Sequence, residues 1–279
     1  MKKGILKKSC ALLLSGCVLL SLAACGDGKM EKINDANNNY KAAKTYEAGN
    51  TDTLTFEVLG GEEVMPIGVF YGPYGLNNSS SASENGIVTP DYLTDEIFKL
   101  LKDSGVNFIG QAQDQWNVHR ENVRKALNLC EKYGIGYFVS DGRIASTETV
   151  ELMTERINEY IDLPNVLGVH LRDEPSLSDA EQFEKIVKVF DESVGDREKY
   201  IYVNLLPSYS SKVNLGGTHY NYMSTFAKDV NLPFISYDNY PFTFKDQGTT
   251  SGIPSTYFYD LSTARRVAKE SGKPFWVYI

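Results

Sequence analysis

From Pro66 onward, short apolar runs ending in polar residues alternate with helical patterns at a nearly constant spacing, and this alternation constrains the fold more than any other feature. The runs begin near Ile67 (IGVFYGPY), Asn107 (NFIGQAQ), Ile135 (IGYFVSD), Val166 (VLGVHLRDEP), Tyr200 (YIYVNLLP), Phe234 (FISYDNYPF) and Pro274 (PFWVYI). Between them lie amphipathic stretches with recognisable start and stop signals. Pro90 stands at a first-turn position, followed by a face of Leu93, Ile97, Leu100 and Leu101 that ends at Gly105. Val150, Met153, Ile157, Tyr160 and Ile161 form a second such face. Ser178-Asp179-Ala180-Glu181 matches a capping box and leads into Phe183, Ile186, Val187, Phe190 and Val194 before Gly195. Strands and helices in alternation imply a parallel sheet with right-handed crossovers.

Two architectures satisfy that pattern, an open doubly wound sheet and a closed (β/α)8 barrel. The fourth run favours the barrel. By strict alternation Val169 and Leu171 share one face, and His170, Arg172 and Glu174 share the other. The sixth run repeats this, with Ile235 and Tyr237 against Ser236, Asp238 and Tyr240. An apolar outside under helices and a polar upper inside are what a barrel with an active site at its mouth requires. No glycine-rich phosphate loop follows the first run, so a dinucleotide fold is disfavoured. The expected class is therefore α/β, a (β/α)8 TIM barrel over residues 51–279. Seven runs spaced by about 35 residues leave an eighth unit needing on the order of 50 more. The chain is thus expected to be a fragment that stops within its seventh strand. Residues 51–64 are expected to form a short strand and turn closing the bottom of the barrel.

The N-terminus reads as an address. Lys2, Lys3, Lys7 and Lys8 precede an uncharged stretch from Cys10 to Ala24, the n- and h-regions of a signal peptide over residues 1–24, too short for a comfortable span. It ends in Leu22-Ala23-Ala24-Cys25, which resembles the lipobox of bacterial lipoproteins. That resemblance implies lipidation of Cys25, export, and anchorage to the outer face of the cell membrane. Residues 25–50, rich in Asn, Ala, Lys and Gly, fit a flexible tether.

Charge excludes some partners. The chain carries 28 basic and 36 acidic side chains, a formal charge of −8, and the first 24 residues contribute four of the lysines and no acid. Nucleic acid would be repelled, since its binding rests on clustered Lys and Arg. Three of the four cysteines lie in or beside the leader, which leaves no disulfide framework and no cysteine metal site. Cys130, on a helix face with Val123 and Leu127, reads as inert core. No metal and no cofactor are expected.

Active sites of such barrels stand at the carboxyl ends of the strands. The candidates there are Tyr71, Tyr74, Gln111, Gln113, Trp116, Asp141, Arg143, His170, Arg172, Asp173, Glu174, Asn204, Asp238, Asn239 and Tyr240. Carboxylates, amides and aromatics dominate, and histidine and cysteine are scarce. That profile suits sugars: aromatic faces stack on pyranose C–H groups, amides and carboxylates fork onto hydroxyls, and a protonated acid supplies the leaving oxygen with its proton. Each residue also has a structural alternative. Asp173 and Glu174 would serve equally as helix-start carboxylates, His170 as a hydrogen-bonded core residue, Arg172 as a partner for an interior carboxylate, and Asp238 and Tyr240 as scaffold. Trp116, read as lying on a loop, is a candidate sugar platform.

The fourth run with its RDEP ending and the sixth with SYDNYPF resemble exported bacterial glycoside hydrolase barrels, over roughly Pro66 to Ile279. In the clan of the family 42 β-galactosidases and family 5 enzymes, the fourth strand ends in Asn-Glu with Glu as acid/base, and the seventh ends in a Glu nucleophile. That resemblance gives Glu174 the acid/base role and puts Asp173 where the Asn would be. The adjacent Asp-Glu pair is also similar to the family 123 and family 20 hexosaminidases. There Asp orients the substrate's own 2-acetamido group, and Asp173 with Glu174 would suffice. The expected function is hydrolysis of O-glycosidic bonds in extracellular glycans, with a carbohydrate substrate as partner. Glu174 and Asp173 are then catalytic, and Asp238, Tyr240, Asn204, Asp141, Arg172 and Trp116 bind substrate. The alternatives are a carbohydrate-binding surface lipoprotein on the same scaffold without catalysis, and a purely structural exported protein.

Overall fold

A computed structural model describes residues 66–76, 90–241, 244–245, 249–250 and 255–279. The leader, the tether, Cys25 and residues 51–64 lie outside the described residues.

Among the described residues, seven parallel strands pair in chain order: β1 (Gly68–Tyr71), β2 (Phe108–Gln111), β3 (Gly136–Ser140), β4 (Val166–Asp173), β5 (Tyr200–Leu205), β6 (Ile235–Asp238) and β9 (Phe275–Tyr278). The antiparallel pair β7 (Phe244–Lys245) and β8 (Thr249–Thr250) stands apart from them. Crossovers are made by α1 (Asp95–Asp103), α2 (Arg120–Tyr133), α3 (Val150–Ile157), α4 (Ala180–Val194), the short α5 (Lys212–Leu215), α6 (His219–Lys228) and α7 (Ser255–Ser271). This is the TIM-barrel fold, nearly closed, and each strand starts within a residue or so of where the apolar runs place it. The first and last strands meet through the interior, where Phe70 and Tyr278 pack edge to face with centroids 4.7 Å apart.

Two apolar clusters follow from the alternation of each strand. Outward residues such as Ile109, Val139, Val169, Ile201 and Ile235 pack under the helices. Inward residues Phe108, Phe138, Leu167, Tyr202 and Phe234, with Phe70, Tyr200, Trp276 and Tyr278 against them, plug the barrel. Phe234 and Trp276 stack at 4.0 Å. The aromatic plug occupies the lower interior, so polar side chains near the carboxyl ends of the strands stand above an apolar floor. Glycine makes room for it: a Cβ on Gly110 would sit 2.5 Å from the Tyr278 hydroxyl and 2.8 Å from the Tyr202 ring.

Local capping departs from expectation at two helices. Before α4 the box is formed by Ser176 and Asp179, with the Ser176 N–H donating to Asp179 Oδ2 at 2.9 Å, two residues earlier than Ser178. A single 3-10 turn then precedes α4, which shifts the cap. In α1 the N-cap is Thr94, Phe98 is the buried residue, and Leu100 is 60% exposed. Pro90 therefore precedes the helix and does not open it. Cys130 is buried on α2 with Val123, Ala126 and Leu127, and burial pushes its thiol pKa far up, away from the reactive thiolate.

Candidate active site

Strict alternation fails at the carboxyl end of β4, and the site is built there. Through His170, β4 and β5 pair in one register, with His170 opposite Tyr202; beyond it Arg172 pairs with Val203 and Asp173 with Asn204. Leu171 is the extra residue of a β-bulge. The bulge changes the phase of the strand, so Asp173 turns to the inside beside Asn204. Arg172 becomes an exposed residue on the wall of a cleft. The face shared by His170, Arg172 and Glu174 in the sequence reading is thereby corrected. A second irregularity of β4, against β3, falls next to Gly168, whose φ of 153° and approach to the Tyr200 carbonyl, 1.8 Å from an added Cβ, admit no side chain.

Glu174 follows directly in a left-handed conformation, φ 49°, rare for a residue with a side chain. Its N–H still donates to Asn204 O at 2.8 Å, and the Tyr222 hydroxyl donates to Pro175 O at 2.7 Å, so both sides of the strained residue are pinned. Such a conformation costs about 1–3 kcal/mol and persists where surroundings over-determine it. It leaves the Glu174 carboxyl near that of Asp238 at the end of β6.

Beneath these acids lies Asn204. Its Nδ2 donates to Asp173 Oδ1 at 3.2 Å and to Asp238 Oδ1 at 3.1 Å, while its Oδ1 accepts from Ser236 Oγ at 3.1 Å. Two carboxyl oxygens on one side demand donors, so the amide has one orientation, with its NH2 toward them. Ser236 Oγ is hydrogen-bonded to the Tyr202 hydroxyl at 3.1 Å, and that hydroxyl to the Tyr278 hydroxyl. Asn204 is thus a buried strut under the acids, which corrects its expected role as a direct sugar contact.

Burial raises all three acids, and at Glu174 and Asp238 the neighbouring carboxyls add to it. Burial is the main cause for Asp238, with Glu174 repelling it next, and its pKa is pushed up to about 7. Glu174 is raised by burial and then by Asp173, offset in part by its hydrogen bond with Asp238. Asp173 is raised by burial, against the Asn204 amide. No cation enters the balance of any of the three. Asp238 is therefore partly protonated near neutrality, beside a Glu174 held above the ordinary glutamate value. Among the described residues no group of three or more His, Cys, Asp or Glu is arranged to hold a metal ion.

Around the acids stand three exposed tyrosines, Tyr71 (61%), Tyr209 (55%) and Tyr240 (54%). Burial and then the nearby carboxylates raise all three hydroxyls, that of Tyr209 to about 12. On the β1–β4 side, Tyr71, Gln111, Gln113, Gln115, Arg172 and Asp173 line a cleft of about 400 Å³. His170 closes its floor, edge-on to Phe70 and Tyr202, and burial drives its pKa down to about 3, so it is neutral.

Two further expectations are corrected. Trp116 is fully buried, not a surface platform: it packs on Tyr160, its Nε1 donates to Glu159 Oε2 at 2.8 Å, and Arg120 and Arg124 cover the ring. Asp141 reaches the cleft wall, but its side chain has no exposed surface and its two oxygens accept from Arg143, Nε at 2.9 Å and Nη2 at 2.6 Å. Arg143 also bonds Glu159, so Asp141 and Trp116 belong to one ionic lattice behind β3. Conversely, Tyr209 was not among the sequence candidates. It lies just past the fifth run, in Pro207-Ser208-Tyr209, at the same strand end that marks Tyr71.

No protein-family model matches the chain, and no curated protein matches it. Among solved structures it is similar to a plant β-glucan endohydrolase, with 16% identity, a TM-score of 0.45, and coverage of 76% of this chain and 75% of that one. It is similar also to a β-glucanase of Saccharophagus degradans, at 10% identity and TM-score 0.40, covering 77% and 78%. A GH18 chitinase of Pseudoalteromonas aurantia gives 11% and 0.39, with 57% of this chain and 61% of that chain covered, less than two thirds of its length.

Proposed function

We propose that this protein is a glycoside hydrolase that cleaves O-glycosidic bonds of extracellular glycans, with Glu174 as general acid/base. The observation that carries this reading is the cluster of carboxyls at the barrel mouth, Asp173 and Asp238 bridged by the Asn204 amide and Glu174 beside them, with Asp238 pushed up to about 7. At neutral pH the pair holds one proton. Glu174, the more accessible partner, delivers it to the glycosidic oxygen as the C1–O bond breaks, which leaves both carboxyls ionised. Asp173 as carboxylate faces the positive charge developing at C1, or orients a 2-acetamido group that attacks C1. Water then adds to C1 and returns a proton to Glu174. Tyr240 and Arg172 contact substrate, and Asn204 fixes the acids.

The test is hydrolysis of a panel of α- and β-linked oligosaccharides by the parent and by Glu174→Gln. Product from the parent and its loss in the variant, with an unchanged unfolding temperature, is the expected result. Full activity of Glu174→Gln on a natural glycan overturns the assignment, and saturable binding without product from the parent favours a carbohydrate-binding protein instead. Export and lipid anchorage at Cys25 form part of the proposal. Labelled palmitate should enter the full-length chain in a bacterial host and be lost with Cys25→Ser.

A further inference from the structure

Behind the tyrosines lies a second buried polar cluster that the chemistry at Glu174 does not use. Asp260, on α7, is fully buried. Its Oδ2 accepts from Asn239 Nδ2 at 2.6 Å and from the Ser208 N–H at 3.1 Å, and its Oδ1 stands 3.2 Å from His219 Nδ1. His219 in turn is hydrogen-bonded through Nε2 to Leu206 O at 2.9 Å. Burying a carboxylate is costly unless it is tied to donors, and here the donors come from two different loops. Ser208 immediately precedes Tyr209, in a turn closed by Ser210 N–H to Pro207 O at 3.1 Å. Asn239 separates Asp238 from Tyr240. One carboxylate therefore sets the distance between the loops that present the two tyrosines, and it does so from below, where ligand does not reach.

Both rings are more than half exposed although they are large and apolar, and both adjoin the acids. They stand after β5 and β6, whereas the 400 Å³ cleft is lined from β1 to β4. Resting on the glycosidase reading above, we infer that Tyr209 and Tyr240 form a platform for a second sugar unit, on the side of Glu174 away from the cleft, and that Asp260 is its positioning residue. The substrate class is then an oligosaccharide held on both sides of the scissile bond, with pyranose faces apolar enough to lie on an aromatic ring.

The experiment is calorimetric titration, in the Glu174→Gln background, with cello-, laminari-, chito-, xylo- and manno-oligosaccharides of two to six units. For the series that binds, affinity should rise with length. Tyr209→Ala and Tyr240→Ala should each remove about three- to tenfold of that rise, the worth of one aromatic contact, without lowering the unfolding temperature. Asp260→Asn should flatten the length dependence in the same way, whereas a residue that merely stabilises the fold would weaken every length equally. An unchanged length dependence in both tyrosine variants overturns the platform and leaves the carbohydrate reading standing. Absence of binding by every series, together with no hydrolysis by the parent, overturns both.

Discussion

Asn204 Nδ2 donates to Asp238 Oδ1 at 3.1 Å and to Asp173 Oδ1 at 3.2 Å, and because both partners are carboxyl oxygens the amide keeps its NH2 toward them. The amide stabilises the ionised form of Asp238 and opposes the rise that burial and Glu174 impose. The pair's proton thus rests on a balance that two substitutions tilt in opposite directions.

If Glu174 and Asp238 share one proton, kcat/KM should fall on the alkaline side with an apparent pKa near 7. Asp238→Asn leaves one acid without a charged partner, and the limb should move to lower pH. Asn204→Ala removes the bond that lowers Asp238, and the limb should move to higher pH. Profiles measured between pH 4 and 9 check both signs; a limb that ignores both substitutions would show that the pair is not the titrating unit.

Glu174→Gln keeps the shape of the side chain and loses the transferable proton. Turnover of substrates with poor leaving groups should drop by about 10²–10⁴, with binding retained. Activated aryl glycosides, which need less proton assistance, should suffer less.

Asn204→Ala should also weaken the fold, since the buried Asp238 and the half-buried Asp173 lose a shared donor. A loss of about 1–3 kcal/mol is expected for leaving such groups unsatisfied, readable by urea unfolding at pH 7.

His170 is buried and its folded pKa, about 3, lies below its ordinary 6.5. As pH falls through about 6.5 the unfolded chain gains a proton that the fold refuses until about 3. Stability from this site is therefore complete above 6.5 and lost across that window. In His170→Leu, the drop in unfolding temperature from pH 7 to pH 4.5 should be smaller than in the parent.

Trp116→Phe should lower the unfolding temperature by a few degrees through the lost bond to Glu159 while leaving KM unchanged. A raised KM without a change in stability would restore Trp116 to the binding surface.

The strands were legible because apolar runs in a parallel sheet are long and bounded, and residues such as Phe108, Val139 and Ile235 have one place to go. The acids were legible as strand-end residues. The phase of β4 was not: nothing in Val-His-Leu-Arg-Asp-Glu marks Leu171 as supernumerary, because a bulge is chosen by the fit between two strands and not by one of them. Trp116 misled for a related reason. It follows a strand like a loop residue, but Glu159 and two arginines, 43 and fewer residues away in sequence, draw it inward. Asp260 was invisible because its partners lie on three other elements.

The bulge at Leu171 decides which carboxylate of β4 enters the barrel, and no codon from Arg172 onward records it. Paired regularly, Leu171 would stand opposite Val203 and Arg172 opposite Asn204, so Asp173 would turn toward the helices and leave Glu174 to enter the barrel alone. Deleting Leu171 would remove the bulge and keep Asp173 opposite Asn204. Two barrels aligned residue for residue at this strand, one bulged and one not, therefore differ in which acid faces the interior, although their sequences read the same. A one-residue gap opposite Leu171 keeps the acids in place, and an ungapped match to a regular strand shifts them by one.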